Sequence, residues 1–183
     1  HPRWGISSTY IVPWMLGDHF EPSYVQGASG GSLSITAPSV ALDGDFRGNT
    51  VFGPRQRSSL PAASSFTLAL EAQQLVASTN YPPYSPTPPA VIFEPNPGQA
   101  PADSFVPGGV LREDRLATVY LDPALMSANG FGSLKVTNPD GDITVPARTV
   151  LAAPPKGSII LAGANIDLQG KLRAPGGTVS LTV

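Results

Sequence analysis

The chain has 183 residues, with 11 Lys and Arg against 13 Asp and Glu for a net charge of −2, and it contains no cysteine. Disulfide scaffolds and thiolate metal sites are therefore excluded, and its dispersed cations do not make the clustered positive surface that nucleic acid or an anionic membrane requires. With 19 Gly, 21 Pro and only 13% charged residues, the composition suits a secreted chain of short strands and many turns, and no run of about twenty apolar residues is present to insert in a bilayer.

Residues 1–30 carry Trp4, Tyr10, Trp14, Phe20 and Tyr24 at no regular spacing. They are expected to form an irregular, aromatic-rich flanking segment whose rings cover the side of a rod, an aromatic sugar platform being the functional alternative. The chain opens on His1 with no basic and apolar leader behind it, which predicts a mature product or an excerpt.

From residue 31 the pattern changes. Gly31-Ser32-Leu33-Ser34-Ile35, Val40-Ala41-Leu42-Asp43-Gly44 and Phe46 place aliphatic pairs at i and i+2, separated by turn residues. Residues two apart in a strand share a face, so 31–57 is expected to form at least one coil of inward-facing pairs. Over 58–130 the register weakens into a coil interrupted by excursions. Phe66–Leu70 reads as a strand, although Leu70–Val76 fits two helical turns equally well. The proline-rich stretch from Tyr81 to Pro89 opens a loop predicted over 81–101, because proline cannot donate to a ladder. Val91-Ile92-Phe93 and Thr118–Leu121 read as strands, and Asp122–Met126 as a helical turn opened by an N-cap and a proline.

Residues 131–183 are the most regular. Gly132-Ser133-Leu134-Lys135-Val136 recurs as Gly157-Ser158-Ile159-Ile160-Leu161 and Gly177-Thr178-Val179-Ser180-Leu181, at intervals of 25 and 20 residues. A unit this short cannot bury its own apolar face and needs like neighbours stacked against it. Within the intervals, the pairs Ile143/Val145 and Ile166/Leu168, then Val150 and Leu172, fall between corners at Asn138–Gly141, Gly163, Gly170 and Gly176-Gly177. Three strands and three corners predict a triangular coil. Stacking in register places Leu134, Ile159 and Val179 on one rung, Ile143 with Ile166, Val145 with Leu168, and Val150 with Leu172. The last strand ends at Val183 without the charges or proline that guard an open edge. Further coils are expected beyond it, with end-to-end assembly of separate subunits as the alternative.

Carboxylates that could serve a β-helical glycan-cleaving enzyme are Asp43, Asp45, Asp140, Asp142 and Asp167. Each sits at or near a glycine corner, where an aspartate ordinarily bonds its own backbone, and the structural role is preferred. Calcium bridging between stacked Asp corners is the chemical alternative, but the acidic nonapeptide repeats of calcium-binding β-rolls are missing. Asp18-His19-Phe20-Glu21 is the only place where a histidine stands among acids, and His1 is terminal. Arg112-Glu113-Asp114-Arg115 reads as a solvated loop, a share in partner recognition being the alternative. No catalytic, cofactor-binding or metal-binding residue is assigned, no cofactor is expected, and the chain is read as a non-enzyme.

Tyr24–Pro38, Leu42-Asp43-Gly44, Gly53–Arg57, Leu125–Leu134 and Ala174–Leu181 together resemble the C-terminal region of large filamentous-haemagglutinin-type exoproteins. The resemblance implies a right-handed parallel β-helix, three-sided with about 20–25 residues per coil, belonging to a giant bacterial protein. It further implies export through an outer-membrane transporter by two-partner secretion, an extracellular or cell-surface location, and roles in adhesion and biofilm formation. Its partners would be adjacent coils of a longer parent chain or neighbouring subunits, and a cell-surface receptor or glycan. The function expected is a rigid shaft segment of an adhesin, with a carbohydrate-active enzyme or a polymerising fibre subunit as alternatives.

Overall fold

Alternation of small polar and aliphatic residues dictates the architecture. The computed structural model describes residues 2–5, 7–11, 22–56, 59–71, 89–95 and 113–183. Among them are nine strands, every pairing between which is parallel. These are β1 (Ser32–Ala37), β2 (Ser65–Leu70), β3 (Ala90–Phe93), β4 (Thr118–Leu121), β5 (Ser133–Val145), β6 (Val150–Ala152), β7 (Ser158–Leu168), β8 (Lys171–Arg173) and β9 (Thr178–Thr182). Two short helices, α1 (Glu113–Ala117) and α2 (Ala124–Ser127), flank β4, and a 3-10 turn spans Pro2–Trp4.

The strands form three ladders. The first runs β1, β2, β5, β7, β9, and its rungs join Leu33, Phe66, Leu134, Ile159 and Val179, then Ile35, Leu68, Val136, Leu161 and Leu181. Phe66–Leu70 is thus a strand; residues 72–76, the rest of the helical alternative, lie outside the described residues. The second ladder runs β4, β3, then the later halves of β5 and β7, with Ile143 against Ile166 and Val145 against Leu168. The third is β6 beside β8. The expected rungs of the first two ladders hold.

The third rung is displaced by one residue. Leu151, not Val150, pairs with Leu172, while Val150 stands opposite Lys171. Since a one-residue slip turns every side chain to the other face, Leu151 is 1% exposed and Val150 39%. Arg148 at φ 75°, followed by Thr149 donating to the Pro146 carbonyl at 3.1 Å, sets the chain's entry into this strand.

A second correction concerns the coil expected over 31–57. Val40–Gly44 is not a strand. In the first ladder β1 lies on the side of β2 away from β5, and the matching place beyond β3 is taken by β4, which comes later in the chain. Thr118-Val119-Tyr120-Leu121 is rich in β-branched and aromatic residues, whereas Leu42-Asp43-Gly44 is a turn sequence, so β4 is the better strand former. Val40, Leu42 and Phe46 pack, half-buried, against the core instead. Strand β3 also lies inside the 81–101 stretch read as a loop; 81–88 and 96–101 fall outside the described residues.

The two intervals differ in length while their rungs stay aligned, and the surplus can be located. Of the five extra residues in the first, two lie at a bulge where Pro139, Asp140 and Gly141 stand opposite Ala164 alone. Two more fall between Val145 and Val150, and one between Ala152 and Ser158. Gly163 lies within β7 at the changeover from the first ladder to the second, where the inward positions pass from Ile159, Leu161 and Gly163 to Ile166, and a Cβ on it would meet Ile143 at 3.1 Å. The glycines that open each repeat are required by close approach. A Cβ on Gly177 would collide with the Gly157 carbonyl, and one on Gly157 would come within 2.5 Å of the Gly132 carbonyl. Those carbonyls accept the amides of Thr178 (3.1 Å) and Ser158 (3.0 Å), so the ladder starts where the backbones touch.

The core is one cluster of aliphatic residues with an aromatic knot at one side. Phe66 meets Phe46 and Phe131 edge to face, with centroids 5.8 and 5.6 Å apart. Burial fades along the first ladder, from 0% exposure at Ile159 and Leu161 to 43% at Val179 and 44% at Leu181.

Candidate functional site

The predicted acids do not converge. Asp142 accepts a hydrogen bond from Asn165 Nδ2 at 2.9 Å, and Asp167 one from Gln169 Nε2 at 2.8 Å, both on the exposed surface. Asp45 and Asp140 are exposed. Asp43 pairs with Arg115, which corrects the reading of Arg112–Arg115 as a solvated loop. The Arg115 side chain is buried and its Nη2 reaches the Asp43 carboxylate, tying α1 to the segment that follows β1. Arg112, Asp18–Glu21 and His1 lie outside the described residues. Among the described residues no three His, Asp or Glu side chains come together as a metal-binding group would require, and no helix is long and apolar enough to cross a membrane.

Two other constellations are built with more care than a solvated surface needs. The first is a glutamine clamp. Gln56 Oε1 accepts the amides of Gly27 and Gly53, each at 2.8 Å, while its Nε2 donates to the Gly27 carbonyl at 3.1 Å. One side chain thereby satisfies backbone groups from two segments. Gly27 has no room for a Cβ because the Val51 carbonyl occupies that space. Arg55 lies over the Tyr24 ring, 4.6 Å from its centroid. Tyr24–Gly27 and Gly53–Gln56, quoted above for the family resemblance, are thus locked to each other. Around the clamp Tyr24, Val25, Val51 and Phe52 are exposed, as are Trp4 and Tyr10. The described aromatics of the first segment therefore do not cover a flank of the stack; Trp14 and Phe20 lie outside the described residues.

The second constellation is a groove beside β1, of about 290 Å³, with Leu33, Phe46 and Phe131 as its floor and Asp45, Arg47 and Asn49 along its rim. Its far wall is firmly held. Ser64, fully buried, donates its hydroxyl to the Gly48 carbonyl and lies 3.2 Å from that of Gly130, while the Gly48 amide donates to the Asn129 carbonyl at 2.7 Å. The Ser64 amide in turn donates to Thr50 Oγ1 at 3.2 Å. Neither constellation was assigned from sequence, because each joins residues whose partners are distant in the chain. Turn-rich Gly-Gly-Ser and Gly-Asn-Thr segments are the only local signal.

A third polar residue works inside the second ladder. Asn138 is fully buried and its Nδ2 donates to the Pro89 carbonyl at 2.8 Å and the Asp142 carbonyl at 3.4 Å. It spans the bulge in β5 and fastens the residue that leads into β3, a structural duty rather than a chemical one.

No family model, curated protein or solved structure matches the chain.

Proposed function

We propose that this chain is a rigid, three-sided parallel β-helical shaft segment of a large secreted or cell-surface bacterial adhesin, structural and adhesive rather than catalytic. The observation that carries the proposal is the first ladder, in which five parallel strands stack apolar side chain on apolar side chain in strict register. A second and a third ladder accompany it at matching intervals. Such a stack gives length and stiffness for few residues, each coil adding about 4.8 Å. Acids engaged in surface hydrogen bonds and an ion pair favour this reading over a glycan-cleaving enzyme.

The resemblance noted above supplies the setting, with export through an outer-membrane transporter and contact with a receptor or glycan on a cell surface. Electron microscopy of the secreted parent molecule is the test. A thin rod that lengthens by about 4.8 Å for each coil is expected. Beads of globular domains, or release of sugars from polysaccharide by the purified chain, would overturn the proposal.

A further inference from the structure

Among the described residues, strand β1 is paired on one side only. Its neighbour β2 takes the bonds of alternate residues: the Ser65 amide donates to the Gly31 carbonyl at 3.1 Å, and the Glu71 amide to the Ala37 carbonyl at 3.2 Å. In a parallel ladder this leaves the amides and carbonyls of Ser32, Ser34 and Thr36 pointing to the other side. No described residue bonds to them. Beside this bare edge lies the groove over Leu33, Phe46 and Phe131. Leu33 begins the rung that continues through Phe66 to Leu134, so the groove sits where the next inward side chain of that rung would fall.

We infer that the β1 edge and this groove form a strand-addition site, which takes an uncharged extended peptide of another chain in the parallel sense. The peptide carries aliphatic or aromatic residues at i and i+2, and Ser or Thr between them. Three features of the site select that chemistry. Its three bare amides and three bare carbonyls suit a peptide backbone rather than a sugar. Half-buried Leu33 and Ile35 ask for apolar partners two residues apart. The outward row of Ser32, Ser34 and Thr36 continues through Ser65 and Thr67, and asks for small polar neighbours. The pocket of about 290 Å³ has room for one large apolar side chain, which anchors the register as hot-spot residues do. This deepens the shaft reading, and it rests on it in taking the first ladder as the direction in which strands are added.

The test is amide hydrogen exchange on the whole chain, with and without a synthetic peptide Ser-Phe-Thr-Leu-Ala-Leu, the sequence of β2, flanked by lysines for solubility. At ten times its Kd the peptide is expected to slow exchange at Ser32, Ser34 and Thr36 by about tenfold. A version N-methylated at alternate residues should do nothing. Ser34→Pro removes an outward amide without touching the β2 pairing, and should abolish the protection while leaving β2 exchange unchanged. Equal exchange with and without peptide would overturn the inference. So would protection by the N-methylated peptide, or amides already protected in the free chain. Any of these results with the β2 amides still protected leaves the ladder itself intact, and so separates this failure from failure of the shaft reading.

Discussion

Replacing Ile159 by Asp puts a carboxylate on a rung between Leu134 and Val179, at a position with 0% exposure. Losing the buried side chain alone costs about 2–5 kcal/mol, the range for Ile→Ala in a core. The carboxyl meets no cation across the rung, so burial raises its folded pKa above the unfolded value of about 3.9. Below that pH the group is protonated in both states and only the packing loss counts. As pH rises through 3.9 towards the raised folded value, the unfolded chain releases its proton first, and the penalty grows by about 1.4 kcal/mol per pH unit. Val179→Asp on the same rung starts from 43% exposure. Its carboxylate stays hydrated, so its cost should be about 1 kcal/mol, with little dependence on pH. Urea unfolding at pH 3.5 and pH 7, read at constant m-value, gives both numbers. Equal costs for the two variants, or an Ile159→Asp penalty that does not grow with pH, would refute the rung assignment.

Further expectations follow from the same geometry. Leu151→Asp should cost several kcal/mol and Val150→Asp within about 0.5 kcal/mol, since only the former points inward; urea midpoints decide, and the reverse order would restore the Val150 register. A Ser133→Cys, Ser158→Cys pair should oxidise to a disulfide, because the two hydroxyls lie 2.6 Å apart on adjacent parallel strands; a free-thiol assay that still finds both thiols after oxidation would contradict the register. Gln56→Ala strips acceptors from two amides and should cost about 1–3 kcal/mol, with faster exchange at Gly27 and Gly53; unchanged exchange there would mean that the clamp is not formed in solution. Gly27→Ala should destabilise by about 1–3 kcal/mol through collision with the Val51 carbonyl, while Gly31→Ala, whose Cβ would meet nothing within 4 Å, should fall within about 0.5 kcal/mol in thermal unfolding.

The rungs of the first two ladders were legible because an aliphatic residue at every second position leaves little choice of face, and the glycine-led units fixed their alignment. Val150 was misread because Val150-Leu151-Ala152 is too short a strand for alternation to name its inward residue. Val40–Gly44 was misread for another reason. Which of two apolar segments fills a place in a stack is settled by competition between distant parts of the chain, and here Thr118–Leu121 takes it. The Gln56 clamp reaches across 29 residues through a single side chain. No periodicity announces such a contact. The corner at Gly176-Gly177 was legible and is present, with Gly176 at φ 60° and the Gly177 amide donating to the Ala174 carbonyl at 3.0 Å; the backbone crowding that also bars a side chain at Gly157 and Gly177 leaves no mark in the sequence.

The unequal intervals have a practical corollary. Because every surplus residue between the two units is shed into a bulge or a connection, with all rungs aligned, the molecule separates a spine of matched strands from connections of unequal length. New recognition sequences could be grafted at 139–141 or 146–149 at the modest entropic cost of a longer surface loop.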